Sequence, residues 1–500
     1  MILREVMNNI ETIQIEGDDR IDIRGISWDS RQSRPGDLFA AITGGQADGH
    51  DFIEQAIEKG ATAVMYQRLG KSEMKVLEKQ LLALGPQKAV TFVQVADSRA
   101  SMAVAANNFY ARPSQSLHLT GVTGTNGKTT TTYLIKSILE QWGKKVGLIG
   151  TIQYMIGHEA YASAHTTPES PELQRLLHEM RAAECTHVVS EVSSHALAQR
   201  RVDGTVFRTV VFTNLTQDHL DFHETMEAYF LAKERLFSRL LSNDGQMVIN
   251  YDDEYGRRLW RDYCRGYTYG LETGADIRAT DIRHTPDGLQ FSVFIKGDPY
   301  VVESSLIGLH NVYNILAAMG AGLAAGIPIA VILKGIGAAG NVKGRFERVA
   351  AGQPFFAVVD YAHTEDALAR TIQAARALTR GRVITVFGCG GDRDKGKRPR
   401  MGDVATRLSD LVIITSDNPR SENPEAIIRD IEAGAVRKNY LVEPDRKEAI
   451  RLAVQEARKD DLLLLAGKGH EEYQEMGGKR QDFSDREVLE EMIRRMMRQA

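Results

Sequence analysis

Short aliphatic and β-branched runs alternate along this chain with longer stretches in which apolar residues recur every three or four positions. Leu117 to Thr120, Val188-Val189, Val210-Val211-Phe212 and Met247-Val248-Ile249 read as buried strands, and Pro171 to Ala183 and Met226 to Leu241 read as helices. Such alternation predicts βαβ units around a mainly parallel sheet. It recurs nearer the C-terminus, where Phe356 to Asp360, Val383 to Phe387, Leu411 to Thr415 and Leu462 to Ala466 are apolar runs with helices between them. Before residue 97 the runs are shorter, polar turns separate them, and a helix is expected around Phe52 to Lys59. The chain's 500 residues exceed the size at which one core keeps growing. The expected fold class is α/β with three domains: an N-terminal α/β domain over 1–97, a central P-loop-type parallel-sheet domain over 98–341, and a C-terminal Rossmann-like domain over 342–500.

One stretch, Ile315 to Leu333, runs nineteen residues without a charge, enough on paper to cross a bilayer. Its Ala and Gly content and the break at Gly326-Ile327-Pro328 predict two helices buried in protein instead. No membrane insertion is expected.

The segment Gly121 to Thr130, G-V-T-G-T-N-G-K-T-T, follows a strand and opens a helix near Lys128. Backbone N–H groups of a glycine loop at a helix N-terminus hold phosphate oxygens, Lys128 would neutralise the β/γ-phosphates, and the Thr129 hydroxyl would ligate Mg²⁺. Gly124, Thr125, Asn126, Gly127, Lys128, Thr129 and Thr130 therefore form a candidate ATP site. The usual P-loop has glycine six residues before the lysine; here that position is Val122.

Polar clusters end the later strands of the central segment, where open α/β sheets bind ligands. They are His165-Thr166-Thr167-Pro168, Ser190 to His195 leading to Gln199 and Arg201, and Asn214 to Asp221. Glu191, His219 and Thr129 supply oxygen and nitrogen donors suited to Mg²⁺. Arg201 offers a planar fork for a carboxylate.

Charge and cysteine content narrow the class. Lys plus Arg is 62 against Asp plus Glu 66, so 62 − 66 = −4 and there is no basic excess of the kind that marks a nucleic-acid binder. Small-molecule substrates fit better. Cys185, Cys264 and Cys389 are odd in number and far apart, which indicates neither a disulfide framework nor a metal knuckle. The first residues lack an apolar signal core. A cytoplasmic location is expected.

The loop Gly124 to Thr130 resembles that of the Mur ligases and their folylpolyglutamate synthetase relatives, which join an amino acid to a carboxylate using ATP. The three central clusters match the Mur ligases in the same order. So do Ile26 to Arg31, Pro35 to Ala41 and Gly44 to His50, which look like the family's first domain. The resemblance covers essentially the whole chain and implies an ATP- and Mg²⁺-dependent amide ligase of peptidoglycan precursor synthesis. Its acceptor would be UDP-N-acetylmuramoyl-L-alanyl-D-glutamate (UDP-MurNAc-L-Ala-D-Glu), activated as an acyl phosphate.

On the same resemblance, Trp28, Ser30 and Gly45-Gln46-Ala47 would contact the uridine end of that substrate. Thr166, Thr167, Ser193, Gln199 and Arg201 would position the acceptor, and Lys233 would be carbamylated to support a metal held by Thr129, Glu191 and His219. Asn311 would read adenine, Arg345 would reach the ATP phosphates and Asp360 the ribose. Glu365 stands where the family commonly has proline. Lys128, Lys233, Glu191, His219 and Arg345 would carry the reaction, with linkers near 97 and 341 as hinges of a monomer.

In the C-terminal segment Arg393, Asp417-Asn418-Pro419-Arg420, Gly467 and Glu471 make an amphoteric set suited to a zwitterionic amino acid. Arg420, stiffened by Pro419, would meet the distal carboxylate that meso-2,6-diaminopimelate has and L-lysine lacks. The expected addition is meso-diaminopimelate. The same reaction with L-lysine, or a folylpolyglutamate-type ligation, is the alternative.

Overall fold

Every residue of Leu462–Ala466 and Val383–Phe387 is buried, and the side chains divide by parity between two cores. Leu462, Leu464, Ala466, Val383 and Phe387 pack into one layer with helices Glu365–Leu378, Lys397–Leu408 and Pro424–Glu432. Leu463, Leu465, Ile384 and Val386 pack into the other with helices Arg446–Glu456 and Asp485–Gln499. A strand covered on both faces reads as an unbroken apolar run, because successive side chains point to opposite sides. The sheet orders as Glu347–Arg348, Phe356–Asp360, Leu462–Ala466, Val383–Phe387, Leu411–Ile414, Tyr440–Val442, parallel apart from Glu347–Arg348.

The structure is a computed structural model describing residues 1–44, 47–67, 90–285 and 288–499. The chain packs as two units. One holds Met1–Gly121, Lys144–Val210 and Ala232–Gly245, and the other Val122–Gly143, Val211–Leu231 and Gln246–Ala500.

In the first unit a five-stranded sheet runs Thr12–Glu16, Thr91–Val95, Ala63–Gln67, Asp37–Ala40, Gly25–Ser27, antiparallel only at Thr12–Glu16. The same unit pairs His187–Glu191 in parallel with Val146–Ile149 and adds the antiparallel strands Gln153–Ile156 and Glu159–Ala162. Helix Ser170–Ala182 matches the expected Pro171 to Ala183 within a residue.

In a second sheet, separate from the C-terminal one, Met247 to Asn250 run parallel to Gly266–Gly270, and Ile277–Thr285, Gly288–Ile295 and Asp298–Ser304 form an antiparallel meander. The meander is the antiparallel part of the mainly parallel sheet that the βαβ pattern predicts for 98–341. The meander alternates buried and half-exposed residues, as in Gly288–Ile295, so it lacks the unbroken apolar runs that mark doubly covered strands. The uncharged stretch splits as expected into helices Leu309–Ala324 and Ile329–Ala338. Among the described residues no helix is long and apolar enough to cross a membrane.

Candidate active site

Two glycines shape the loop between strand His118–Thr123 and helix Lys128–Gln141. Gly124 has φ of +145°, and a Cβ there would fall 1.8 Å from Thr213 Oγ1; Gly127, at +87°, would place one 2.3 Å from Asn314 Oδ1. Neither position admits a side chain. The loop is then tied to the polar cluster after Phe212. Thr125 N donates to Asn214 O at 2.8 Å and Asn126 N to Asn214 Oδ1 at 3.0 Å, while Thr213 Oγ1 donates to Asn126 O at 2.6 Å. Lys128 Nζ donates to Gly124 O and Thr125 O, each at 2.9 Å, so its ammonium closes the loop at the positive end of the helix. The arrangement favours an anion.

Thr129 and Thr130 are buried in the first helical turn. Arg345 Nη2 donates to Thr129 Oγ1 at 3.0 Å, its guanidinium lies 4.8 Å from the Tyr361 ring centroid, and its Nε is buried without a hydrogen-bond partner among the described residues. The structure thus brings Arg345 to the nucleotide loop. Asp360 accepts from Phe346 N at 2.7 Å and Ala362 N at 2.8 Å, and burial raises its carboxyl above the ordinary range. Asn311 donates to Ile307 O and accepts from Asn314 Nδ2, which fixes its amide at the helix start.

His219 adopts φ of +55° and sits with Nε2 3.3 Å from Asp218 Oδ2, edge-on to Tyr229. Burial opposes charge on Asp218, but His219, His363 and Lys397 outweigh it and hold the carboxyl below the usual range. Asp366, which carries no motif signal, adjoins the loop. Its Oδ2 accepts from Asn126 Nδ2 at 2.9 Å and from Thr216 Oγ1 at 3.3 Å, linking helix Glu365–Leu378 to the loop.

In the other unit, Glu191 ends its strand fully buried. It accepts from Thr151 N at 2.9 Å and Thr151 Oγ1 at 3.0 Å, and Thr151 Oγ1 lies 3.0 Å from Thr166 Oγ1. Thr167 Oγ1 donates to Glu191 O and accepts from Ser193 N, and Ser193 caps helix Ser194–Ala198. Arg201 donates to Thr167 O at 3.0 Å and Gln199 Oε1 at 2.8 Å, with Nε 3.0 Å from Glu169. Thr166, Thr167, Glu191, Ser193, Gln199 and Arg201 therefore form one network. Thr151 and Glu169 belong to it and were missed.

Lys233 lies on helix Met226–Ser238 with 1% of its surface exposed, so it is not a solvated helix lysine. In the N-terminal sheet region Ser30 Oγ donates to Gln55 Oε1 at 2.5 Å, Trp28 is exposed, and Ala47 O accepts from Gly44 N. Gly45 and Gln46 lie outside the described residues.

The C-terminal set gathers at the ends of Leu411–Ile414 and Leu462–Ala466. Asn418 Nδ2 donates to Glu471 Oε2 at 2.7 Å, and Arg420 Nη1 to Gly391 O at 2.6 Å. Arg420 has φ of +53°, and a hairpin of Tyr473–Met476 and Lys479–Asp482 runs beside it, with Arg420 N donating to Glu475 O. Gly467, at +114°, places its Cα side against Asp417. Arg393 is exposed and donates to Asp392 O. Burial and the nearby Asp417 push the Glu471 carboxyl up.

Three family profiles match in order: "Mur ligase family, catalytic domain" over 22–110, "Mur ligase middle domain" over 122–322, and "Mur ligase, glutamate ligase domain" over 344–469. A UDP-N-acetylmuramoyl-L-alanyl-D-glutamate--2,6-diaminopimelate ligase of Clostridium acetobutylicum is 45% identical over 499 residues, 99% of this chain and 100% of its own. The chain belongs to the Mur ligase family. A solved structure of a UDP-N-acetylmuramoyl-L-alanyl-D-glutamate--2,6-diaminopimelate ligase is 31% identical, with TM-score 0.67 over 99% of both chains. The MurF ligase of Thermotoga maritima, solved in complex with ADP, shares the fold at 18% identity and TM-score 0.66, covering 95% of this chain and 99% of its own.

This Mur ligase also carries buried cations outside the residues expected from the sequence. Lys468, with no exposed surface, donates from Nζ to Asn418 Oδ1 and Glu471 Oε2, both at 3.1 Å, and lies 3.7 Å from Asp417 Oδ1. Arg398 bonds Glu422, Asp430 and Gly390 O. Lys468 was findable, since it sits inside the loop Gly467 to Glu471; Arg398 gives no signal, because an arginine on a helix usually faces water.

Proposed function

We propose that this chain joins meso-2,6-diaminopimelate to the D-glutamate carboxylate of UDP-MurNAc-L-Ala-D-Glu, with cleavage of ATP to ADP and phosphate. The observation that carries the reading is the meeting of Arg345 with Thr129 on the loop closed by Lys128. A fixed guanidinium, an ammonium and helix-terminal N–H groups then face the place where phosphoryl charge develops. Phosphoryl transfer asks mainly for such positioning and neutralisation. The acceptor carboxylate attacks the γ-phosphoryl group, the resulting acyl phosphate is attacked by the amine, and phosphate leaves as the amide forms.

Thr166, Thr167, Ser193, Gln199 and Arg201 would hold the acceptor, and Trp28, Ser30 and Ala47 the uridine end. Arg420, Arg393, Asp417, Asn418 and Glu471 would hold the amino acid. Among the described residues no group of three His, Cys, Asp or Glu converges on a metal position. The oxygen donors of Thr129 and Glu191, with His219 and a carbamylated Lys233, have the chemistry to hold Mg²⁺, which prefers oxygen ligands and keeps several waters. Held by Thr129, Mg²⁺ would neutralise phosphate charge. We place these roles in segments 1–97, 98–341 and 342–500 of a soluble, cytoplasmic monomer. Phosphate release from ATP with UDP-MurNAc-L-Ala-D-Glu and a panel of amino acids tests the reading. Turnover with meso-diaminopimelate is expected; release only with a folate or with L-lysine would refute it.

A further inference from the structure

We propose that Arg446 and Asp485 are a positioning pair for the amino-acid site: the Arg446 guanidinium holds the loops carrying Asp417–Arg420 and Gly467–Glu471 in register and thereby sets selectivity for the incoming amino acid. The inference rests on the reading of that site given above.

Both side chains are wholly buried. Arg446 Nε and Nη2 donate to the two Asp485 oxygens at 2.7 Å each, while Nη1 donates to Ser416 O at 3.2 Å and Nη2 to Ala466 O at 3.0 Å. Ser416 immediately precedes Asp417, and Ala466 immediately precedes Gly467. The strands leading to these carbonyls, Leu411–Ile414 and Leu462–Ala466, are not neighbours, because Val383–Phe387 runs between them. No ladder bond therefore aligns one loop with the other. A guanidinium can do so, because its N–H groups sit in one rigid plane.

Asp485 extends the effect. It opens helix Asp485–Gln499, where its charge suits the helix dipole, and it follows the hairpin that lies along Arg420. That hairpin returns bonds to the same loop: Gln474 Nε2 to Asp417 O at 2.8 Å, Glu475 N to Asn418 Oδ1 at 3.0 Å, and Gly477 N to Arg420 O at 2.7 Å. Fixing Asp485 fixes the hairpin's exit. Replacing a buried ion pair with apolar residues is often neutral for stability, so directional bonding is what this pair supplies.

The test uses the full-length enzyme in steady state, with KM for diaminopimelate, ATP and UDP-MurNAc-L-Ala-D-Glu, the diaminopimelate-to-lysine ratio of kcat/KM, and circular dichroism. Arg446→Lys keeps the charge but not the plane. KM for diaminopimelate should rise about tenfold or more and the ratio should fall about as much, with the other two KM values within about twofold. If Arg446→Lys misfolds, Arg446→Met with Asp485→Leu removes the pair without leaving a lone charge, and the same selective change is expected. A folded variant with unchanged KM and ratio, or one in which all three KM values rise together, would overturn the proposal. Should the wild type use a different amino acid, the proposed function fails, whereas a selective KM rise for that amino acid still upholds the pair.

Discussion

Lys128 closes the glycine loop through two carbonyls, so its loss removes both a loop contact and the ammonium proposed to meet the phosphates. Lys128→Ala should lower ligation about a hundredfold or more. Phosphate release near the wild-type rate in a variant with native circular dichroism would remove the ATP assignment. For Lys233, a buried position argues that the side chain serves the interior. Lys233→Ala should lose most activity and recover part of it with added formate or acetate, and intact mass of the active enzyme at ample CO₂ should show the carbamate. Arg420→Ala should reduce preference for diaminopimelate over L-lysine by some thirtyfold to a few thousandfold, since a partly buried charged contact is worth roughly 2–5 kcal/mol; undiminished preference in steady-state kinetics would show that another residue reads the distal carboxylate. The loop residues were legible because glycine, lysine and threonine at fixed spacing encode backbone geometry. Arg446 and Arg398 were not, because nothing in a residue's identity tells that its charge is buried.

At the scale of elements, Gly124 shows how a turn is written into sequence. An alanine there would meet Thr213 Oγ1 at 1.8 Å on a backbone that L-residues rarely adopt. Gly124→Ala should cost about 1–3 kcal/mol in urea unfolding and raise KM for ATP; an unchanged midpoint would show that the loop relaxes freely. Strands Phe356–Asp360, Val383–Phe387 and Leu462–Ala466 fall where the apolar runs put them, since both faces are covered. The hairpin Tyr473–Met476 and Lys479–Asp482 was invisible for the opposite reason. Its strands carry mostly polar, exposed residues, and its one signal is Gly477-Gly478, both at positive φ as a two-residue hairpin turn requires.

For the whole molecule, pH is the informative variable. Burial lowers His187, His310 and His363 to about 4 and His470 to about 3. Unfolded histidine titrates near 6.5, so the unfolded chain takes up protons that the native state refuses. Stability is full above about 6.5 and is lost as pH falls toward 4. Asp360 and Glu471, raised by burial, oppose this over the carboxylate range. The melting temperature should therefore drop between about pH 6.5 and 4 in differential scanning calorimetry, with a smaller drop in His310→Gln; a flat profile would mean that these rings stay protonated inside. The contact between Arg345 and Thr129 has one more effect. A hydroxyl already engaged by its own chain is an internal competitor for any incoming ligand. Binding must exchange one bond for another, so the net gain on entering is smaller than the interaction formed. Deleting the arginine removes that bond to the hydroxyl together with the guanidinium proposed to meet the phosphates, and the two effects offset in affinity but not in rate. Arg345→Ala should therefore change the ATP dissociation constant little and the turnover number greatly.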